Sequence, residues 1–221
     1  MVYLGVPLAK DLMRTPYTPG LFITGTDTGV GKTHVAAVIA RKLVAEGLRV
    51  GVYKPVASGC SRDAEGKLTS DDARVLWEAA GRPGLFERVC PQNFAAPLAP
   101  HLAARAEGRE LDTQLLLDGL KYWRLRSDVV LVEGAGGLFS PLDEGRLNID
   151  FAREVRYPLV VVAPNRLGTI HGVLSTIIAA RELTSSLPIK AVVLSETTND
   201  TSDLSRASNA DQIRQRIKMR D

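Results

Sequence analysis

A glycine-rich stretch over residues 21–33 constrains the possible fold more than any other part of the sequence. The apolar residues Leu21-Phe22-Ile23 predict the end of a buried strand, and the apolar positions Val35, Ile39 and Leu43 recur at the spacing of one helix face. Strand, glycine-rich loop and helix in this order are the setting that a phosphate-binding loop requires. The segment between strand and helix reads Gly25-Thr26-Asp27-Thr28-Gly29-Val30-Gly31-Lys32-Thr33.

The chemistry of this loop suits a phosphate chain. Glycines let the backbone wrap closely around an anion, and the free N–H groups at the helix start point towards it. Lys32 can then reach the outer phosphates, and the Thr33 hydroxyl can bind magnesium. Five residues separate Gly25 from Gly31, so the loop is a variant of the usual pattern. A chance glycine turn is the alternative, but the intact Gly-Lys-Thr and both flanks favour a nucleoside triphosphate site.

Length and composition are those of an ordinary α/β domain. The 221 residues, of which 45% are hydrophobic and 24% charged, suffice for one domain with its own core. We predict a mostly parallel central sheet flanked by helices, as in phosphate-loop nucleotide-binding proteins. A net charge of +3 is too small to predict a nucleic-acid partner. Cys60 and Cys90 lack metal-ligand spacing, and free thiols fit a cytoplasmic location best.

Residues 1–20 precede the first predicted strand. Their apolar piece, Val6-Pro7-Leu8-Ala9, contains a proline and is followed by charged residues, so it does not resemble the apolar region of a signal peptide. We expect a poorly ordered extension over 1–20 and a single domain over 21–221. No apolar run reaches membrane-spanning length, so we expect no membrane partner.

A second predicted strand, over residues 49–53, ends in Lys54-Pro55-Val56-Ala57-Ser58-Gly59. Proline and glycine at the carboxyl end of a strand predict a loop on the same rim of the sheet as the phosphate loop. Ligands gather at that rim in open α/β sheets, which makes Lys54 and Ser58 candidate site residues. An exposed lysine and a turn serine are the alternative, and position on the rim alone does not decide between them.

Acidic residues in two segments could hold magnesium. The apolar run 128–132 predicts a central strand covered on both faces, and it ends in Glu133. Three glycines within 134–137 let a ligand approach closely, which favours a metal-binding role for Glu133 over a solvated strand end. Asp71 and Asp72 begin a predicted helix that Ser70 caps, and the helix dipole is sufficient to explain both acids. Spacing alone does not select either one as a metal ligand.

The remaining elements continue the alternation of strands and helices. Residues 61–69 are expected to form a mobile surface loop, and the proline-rich segment 90–101 is expected to be irregular. Further strands are predicted over 158–163 and 188–194, and further helices over 102–106, after Asp112, over 169–183 and over 203–217.

Five motifs taken together resemble the dethiobiotin synthetase family, in order and with the family's spacing, from about Leu21 to Leu194. The motifs over residues 25–33 and 132–137 also occur in cobyrinate amidating enzymes and partition ATPases, so the lysine–proline segment over 53–59 is the discriminating one. The five motifs are residues 25–33 (GTDTGVGKT), 53–59 (YKPVASG), 132–137 (VEGAGG), 94–101 (FAAPLAPH) and 167–169 (LGT).

The resemblance implies an ATP-dependent cyclo-ligase that uses magnesium. One amine of 7,8-diaminononanoate takes up CO2 (from bicarbonate) to give a carbamate, and the γ-phosphate of ATP is transferred to it. The second amine then attacks the carbamic-phosphoric anhydride, which closes a cyclic urea and releases phosphate. Phosphoryl transfer depends mostly on positioning and charge neutralisation, and a phosphate loop supplies both.

The resemblance also implies a role for each matching residue. Lys32 and Lys54 would be catalytic: Lys32 would neutralise charge on the γ-phosphate, and Lys54 would orient the carbamate. Thr33, Asp72 and Glu133 would bind Mg²⁺, with Asp71 the less favoured of the two neighbouring acids. The residues in contact with the nucleotide would be Gly29, Val30, Gly31, Lys32, Thr33, His34, Asp72, Glu133, Gly134, Ala135 and Gly136.

The substrate would be held at both of its ends. Thr28 and Ser58 would join Lys54 at the amine and carbamate end. The substrate carboxylate would be received at a helix start, which suits an anion, by Gly168, Thr169, Ile170 and His171. In the family the partner subunit contributes this segment, so the resemblance implies a homodimer with shared sites.

The sequence departs from the family pattern at the nucleotide base. Ser195 and Glu196 stand where relatives often carry asparagine to read adenine, and the chain ends soon after its last helix. Ser195 and Glu196 are therefore the candidates for contact with the base, and the preference for ATP over other nucleoside triphosphates is not determined.

Two other classes share the phosphate loop. A cobyrinate-type amidating synthetase needs an amidotransferase domain, for which 221 residues leave no room. A partition-type switch ATPase usually carries an extra lysine near the loop start, where this chain has Asp27.

Overall fold

The computed structural model describes residues 2–4, 18–184, 187–196 and 202–218. Its centre is a six-stranded sheet made of β1 (Val2–Leu4), β2 (Gly20–Gly25), β3 (Val50–Tyr53), β8 (Val129–Glu133), β9 (Leu159–Pro164) and β10 (Ile189–Ser195). Their order across the sheet is β1-β10-β9-β2-β8-β3, and all pairs are parallel except that of β1 with β10.

Helices cover the central sheet, and short strand pairs lie outside it. The helices are α1 (Lys32–Ala45), α2 (Asp71–Ala79), α3 (Pro100–Ala106), α4 (Thr113–Arg124), α5 (Asn148–Val155), α6 (Thr169–Leu183) and α7 (Asn209–Lys218). The outer strands are β4 (Val56–Ala57), which pairs in parallel with β7 (Gln92–Asn93), and β5 (Ser61–Arg62), which pairs antiparallel with β6 (Leu68–Thr69). Within the described ranges no helix is long and apolar enough to cross a membrane.

The predicted α/β fold with a mostly parallel sheet is confirmed. Every residue of β2, β3 and β8 is buried, as expected of strands covered on both faces. The predicted N-cap residues are also correct, because Ser70 Oγ accepts from the Ala73 N–H and Asp112 Oδ1 accepts from the Leu115 N–H.

Several local predictions were wrong. Residues 2–4, expected within a poorly ordered extension, form a strand that pairs with the edge of β10, while residues 5–17 lie outside the described part of the chain. Residues 61–69 contain the paired strands β5 and β6 rather than a loop without regular structure. Segment 90–101 contains β7, and α3 begins at Pro100 rather than Leu102. A 3-10 turn over Leu204–Ala207 precedes the last helix. Each of these elements is short, so the local pattern was too weak to reveal it, and β1 and β7 in addition depend on pairing with a distant strand.

The strand order brings three loops to one rim. Strands β2, β8 and β3 are consecutive neighbours and parallel, so their carboxyl ends lie side by side. The phosphate loop follows β2, the glycine loop follows β8, and the Lys54 segment follows β3. The fold therefore gathers the three segments that the sequence singled out.

Packing behind this rim depends on a close contact between β3 and α4. The Tyr53 hydroxyl donates to main-chain carbonyls of α4, and a Cβ added at Gly119 would lie 2.3 Å from that hydroxyl oxygen. We expect Gly119→Ala to lower the free energy of unfolding by about 1–3 kcal/mol, because the fully buried Tyr53 has to move. Urea unfolding measures the change. Gln114→Ala, at an exposed site on the same helix, should stay within about 0.5 kcal/mol of the parent, and an equal loss in both variants would contradict the steric explanation.

Candidate functional site

The phosphate loop has the backbone geometry that an anion site needs. Gly29 and Gly31 have φ angles of 72° and 91°, which favour glycine, and Gly31 precedes the first residue of α1. No side chain among the described residues caps the N-terminus of α1, so its first N–H groups remain available to a ligand. The buried Lys32 ammonium donates to the main-chain oxygen of Asp27 at 3.0 Å, which holds it against the loop.

Lys54 lies in a network of charged groups at the carboxyl end of β8. Its Nζ is 2.6 Å from Glu133 Oε1 and 3.0 Å from Asp72 Oδ2. The Thr33 hydroxyl donates to the same Glu133 Oε1 at 3.0 Å. Lys54 is 4% exposed and Glu133 is 1% exposed, whereas the Asp72 side chain is about half exposed. The alternatives of an exposed lysine and a solvated glutamate are therefore wrong.

The charges in this network stabilise one another. Burial opposes the charged form of Lys54, but the carboxylates of Glu133 and Asp72 outweigh it and raise the pKa of the ammonium above its ordinary value. Burial also opposes ionisation of Asp72, yet Lys54 outweighs it and lowers the pKa of that carboxyl. For Lys32, burial prevails and lowers the pKa of the ammonium, with repulsion from Lys54 acting in the same direction. Lys54 and Asp72 are thus held as an ion pair at neutral pH.

The same network fits a magnesium ion. Glu133 Oε2 is buried and has no hydrogen-bond partner among the described residues, so it is an acceptor without a donor. With Asp72 and the Thr33 hydroxyl it offers only hard oxygen ligands, which Mg²⁺ prefers. In the described part of the chain, no group of three or more His, Cys, Asp or Glu side chains is arranged so that it could hold a metal ion. Two carboxylates and a hydroxyl suit an ion that takes its other ligands from phosphates and water.

A buried asparagine holds the glycine loop after β8. Asn148, at the start of α5, is 1% exposed. Its side-chain amide donates to the carbonyls of Ala135, Gly137 and Ser140, and its Oδ1 accepts from the Ala135 N–H. The loop packs closely against the phosphate loop, because the N–H of Leu138 donates to the Gly25 carbonyl at 3.0 Å. Sequence reasoning missed Asn148, since only the fold brings this side chain to the loop.

These loops enclose a cleft with a volume of about 740 Å³. One side of the cleft carries the charged network and the phosphate loop, and another side is apolar. The predicted site residues that line it are Thr28, Gly29, Gly31, Lys32, Thr33, Lys54, Ser58, Asp72, Glu133, Ala135 and Gly136. The apolar wall consists of Val56, Ala57, Pro97, Leu98, Ala99 and Pro100.

The apolar wall has a structural basis that the sequence did not reveal. Pairing of β4 with β7 joins the segment after Lys54 to the segment before Pro97. The Cys60 N–H donates to the Phe94 carbonyl, and the Gly59 N–H donates to the Ala96 carbonyl. Leu98 remains 48% exposed in the cleft.

Other predicted residues lie outside the cleft lining. Val30 and Gly134 are loop residues beside it, and His34 lies on the exposed surface of α1. The substrate candidates Gly168, Thr169, Ile170 and His171 begin α6, which follows β9 on the other side of β2. Within one chain, the structure does not bring this segment to the cleft.

The two base-contact candidates, Ser195 and Glu196, are already engaged. The buried Ser195 accepts through its main-chain oxygen from the Asn165 N–H. The Glu196 carboxylate accepts from the Asn165 side chain at 2.9 Å and forms an ion pair with Arg206. The Asn165 oxygen in turn accepts from Asn209. Side-chain contacts of Glu196 thus serve the local structure.

Fold and site together define an ATPase-type α/β protein whose phosphate loop is followed by a buried acid on the neighbouring strand. In agreement, residues 19–220 match a family profile described as "AAA domain".

The comparison with curated proteins is more specific. The ATP-dependent dethiobiotin synthetase BioD of Rhodopirellula baltica is 46% identical over 203 residues, covering 87% of this chain and 78% of that protein. The protein of the same name from Caulobacter sp. strain K31 is 40% identical over 195 residues, covering 87% and 82%. The chain belongs to the ATP-dependent dethiobiotin synthetase family.

Among solved structures, the kinase domain of Escherichia coli tyrosine kinase ETK has 19% identity and a TM-score of 0.48, covering 87% of this chain and 72% of that chain. An overlap this loose supports no conclusion about kinase activity. The family resemblance predicted from the motifs is confirmed, and the names of these relatives agree with the predicted class of ATP-dependent synthetase. The partition-type and cobyrinate-type alternatives are not favoured.

Proposed function

We propose that this protein closes a cyclic urea on 7,8-diaminononanoate with CO2 and ATP, giving dethiobiotin, ADP and phosphate. The observation that carries the proposal is the position of Lys54, buried between Glu133 and Asp72 in the cleft that the phosphate loop also lines. A generic nucleotide hydrolase has no need of a second buried cation beside the metal carboxylates.

The chain's residues act on two reacting groups. One substrate amine adds to CO2 and loses a proton, giving a carbamate near Lys54 that hydrogen bonds from Thr28 and Ser58 orient. A carbamate oxygen then bonds to the γ-phosphorus as the bond to ADP breaks, while Lys32 and the N–H groups of α1 offset the growing charge. The second amine attacks the carbamoyl carbon, a urea C–N bond forms, and phosphate leaves with that oxygen.

Magnesium would be held by Thr33, Asp72 and Glu133. When bound, it supplies charge neutralisation between the outer phosphates. Lys54 and Lys32 would be the cations that the protein itself supplies at the two ends of the transferred group. The proposal therefore gives separate roles to two lysines that the sequence places on different loops.

Product analysis tests the proposed reaction. The protein is incubated with ATP, Mg²⁺, the diamine and ¹³C-bicarbonate, and the product is identified by mass spectrometry. We expect dethiobiotin carrying one ¹³C atom, formed only when all four components are present. Nucleotide hydrolysis without any cyclic urea would contradict the proposal.

We also propose a homodimer in which Gly168, Thr169, Ile170 and His171 reach the partner's cleft. Support comes from the outer face of α6, where Ile178 is 42% exposed and Leu167, just before the helix, is 80% exposed. A helix that is apolar on both faces is normally covered on both.

Sedimentation velocity tests this assembly. The parent protein should sediment as a dimer, and Ile178→Asp should shift it towards the monomer while α6 stays folded by circular dichroism. A parent protein that sediments as a monomer at micromolar concentration would contradict the shared-site proposal.

The apolar wall is proposed to bind the methylene chain of the substrate. Leu98→Asn should raise the KM for the diamine about tenfold, since about two methylenes would lose apolar cover at about 0.8 kcal/mol each. Steady-state kinetics at saturating ATP measures the change, and kcat should vary little. Leu102→Asn, at a 41% exposed position outside the cleft lining, is the matched control. Equal KM values in the two variants would place the methylene chain elsewhere.

We propose that residues 21–221 belong to a single domain, whose central sheet the strand over residues 2–4 joins at β10, and that the protein is cytoplasmic. Support for the location comes from Cys60 and Cys90, which are free thiols in the structure. Support for one domain comes from the continuous core, to which buried residues between Leu21 and Val193 contribute.

A further inference from the structure

We propose that Lys54 also serves as a stand-in for the metal. Before a divalent cation binds, the Lys54 ammonium occupies the carboxylates that the cation will take, and it leaves them on binding. Lys54 would then be free to turn towards the carbamate. The inference rests on the metal and carbamate roles of the proposed function, but its tests need no turnover.

The contacts of Lys54 are those expected of such a stand-in. Every side chain assigned to magnesium is tied to one cluster: Glu133 and Asp72 each bind the ammonium directly, and Thr33 bonds the oxygen of Glu133 that faces Lys54. The distances, 2.6 to 3.0 Å, are those of charge-assisted and ordinary hydrogen bonds. The ammonium therefore occupies the two carboxylates proposed for the divalent ion, and the third proposed ligand, Thr33, lies one hydrogen bond away on Glu133.

Electrostatics explains why Glu133 and Asp72 need a cation beside them both before and after the metal binds. Glu133 is 1% exposed, and a buried carboxylate beside a second carboxylate is costly unless a positive charge accompanies them. Lys54 supplies that charge and keeps Glu133 and Asp72 together in the protein without metal. The site is thus assembled before the metal arrives.

The same electrostatics explains why the ammonium has to move. While it pairs with two carboxylates, its charge is offset and cannot neutralise a carbamate. A divalent ion on Glu133 and Asp72 would also repel an ammonium that shared their oxygens. Binding of the ion and release of Lys54 are therefore coupled. The competing arrangement is an ion bound through Glu133 Oε2, with Lys54 unmoved on Oε1.

Manganese binding to the nucleotide-free protein distinguishes these arrangements. Free Mn²⁺ is measured by electron paramagnetic resonance for the parent, for Lys54→Met and for Lys67→Met. Lys67 pairs with Glu87 on the surface and serves as the matched control. We expect Lys54→Met to bind Mn²⁺ at least about tenfold more tightly than the parent, because no ammonium competes for the carboxylates, and Lys67→Met to be unchanged. Equal or weaker binding by a folded Lys54→Met protein would overturn the proposal.

The parent protein supplies a second test that needs no variant. The protein is labelled with acetic anhydride in the presence and in the absence of saturating Mg²⁺, and the labelling rate of each lysine is measured by peptide mass spectrometry. Labelling of Lys54 should speed up about tenfold with Mg²⁺, because the ammonium leaves its buried contacts with Glu133 and Asp72 and becomes accessible to the reagent, while labelling of Lys67 stays constant. A Lys54 labelling rate that Mg²⁺ leaves unchanged or lowers would overturn the exchange, even if the protein closes the urea as proposed.

Discussion

Lys54→Ala is expected to abolish measurable urea closure, a loss of at least about 10²- to 10³-fold, while the protein still binds ATP. The loss follows because no other described cation bonds to Glu133 and Asp72, and the carbamate would lose its positive partner. Nucleotide binding should persist, because Lys32 and the N–H groups of α1 are untouched. Product formation measures the first effect, and calorimetric titration with a non-hydrolysable ATP analogue measures the second.

The variant has to be distinguished from a merely destabilised protein. Removing Lys54 leaves the buried Glu133 without its closest cation, a change that costs up to about 3–5 kcal/mol in a fully buried pair and less here because Asp72 is half exposed. Mg²⁺ should restore much of this stability, because it takes the place of the ammonium. Lys67→Ala is the control for removing a surface lysine. Turnover at the parent rate in Lys54→Ala would remove Lys54 from the mechanism.

Glu133→Gln is expected to raise the Mg²⁺ concentration needed for half-maximal activity by about tenfold to a hundredfold. The amide keeps the shape of the side chain but removes its charge, so the metal loses one of two carboxylates. Lys54 also loses a charged partner at 2.6 Å, so the free energy of unfolding should fall as well. A Mg²⁺ titration of phosphate release and urea unfolding measure the two effects.

A matched change outside the cleft makes the result specific. Glu87→Gln removes the exposed partner of Lys67 and should leave both the Mg²⁺ requirement and the stability nearly unchanged. If Glu133→Gln behaved like Glu87→Gln, Glu133 would have no metal-binding role.

Much of the site was predictable from the sequence, because its parts are local patterns. The loop ending in Lys32-Thr33 indicates a phosphate site by its glycines, and the apolar run before Glu133 indicates a central strand. Because neighbouring parallel strands end at the same rim of the sheet, Lys54 is predicted to lie near both the phosphate loop and Glu133. The structure adds the burial and distances that distinguish a functional lysine from an exposed one.

What the sequence did not reveal depends on contacts between distant segments. Pairing of β4 with β7, which shapes the apolar wall around Leu98, joins residues about 36 apart in segments too short for a periodic pattern. Asn148 stabilises the glycine loop only because α5 folds back against it. The strand over residues 2–4 forms because the edge of β10 offers unpaired backbone groups, a feature of the folded sheet and not of the first residues.

Oxygen-isotope transfer tests most directly the central claim that a carbamate on the substrate attacks the γ-phosphate. The reaction is run briefly with ¹⁸O-labelled bicarbonate, ATP, Mg²⁺ and the diamine, and the released phosphate is analysed by mass spectrometry. We predict phosphate that carries one ¹⁸O atom from the carbamate, formed only in the presence of the diamine. Unlabelled phosphate, released at the same rate without the diamine, would show direct attack by water and contradict the account.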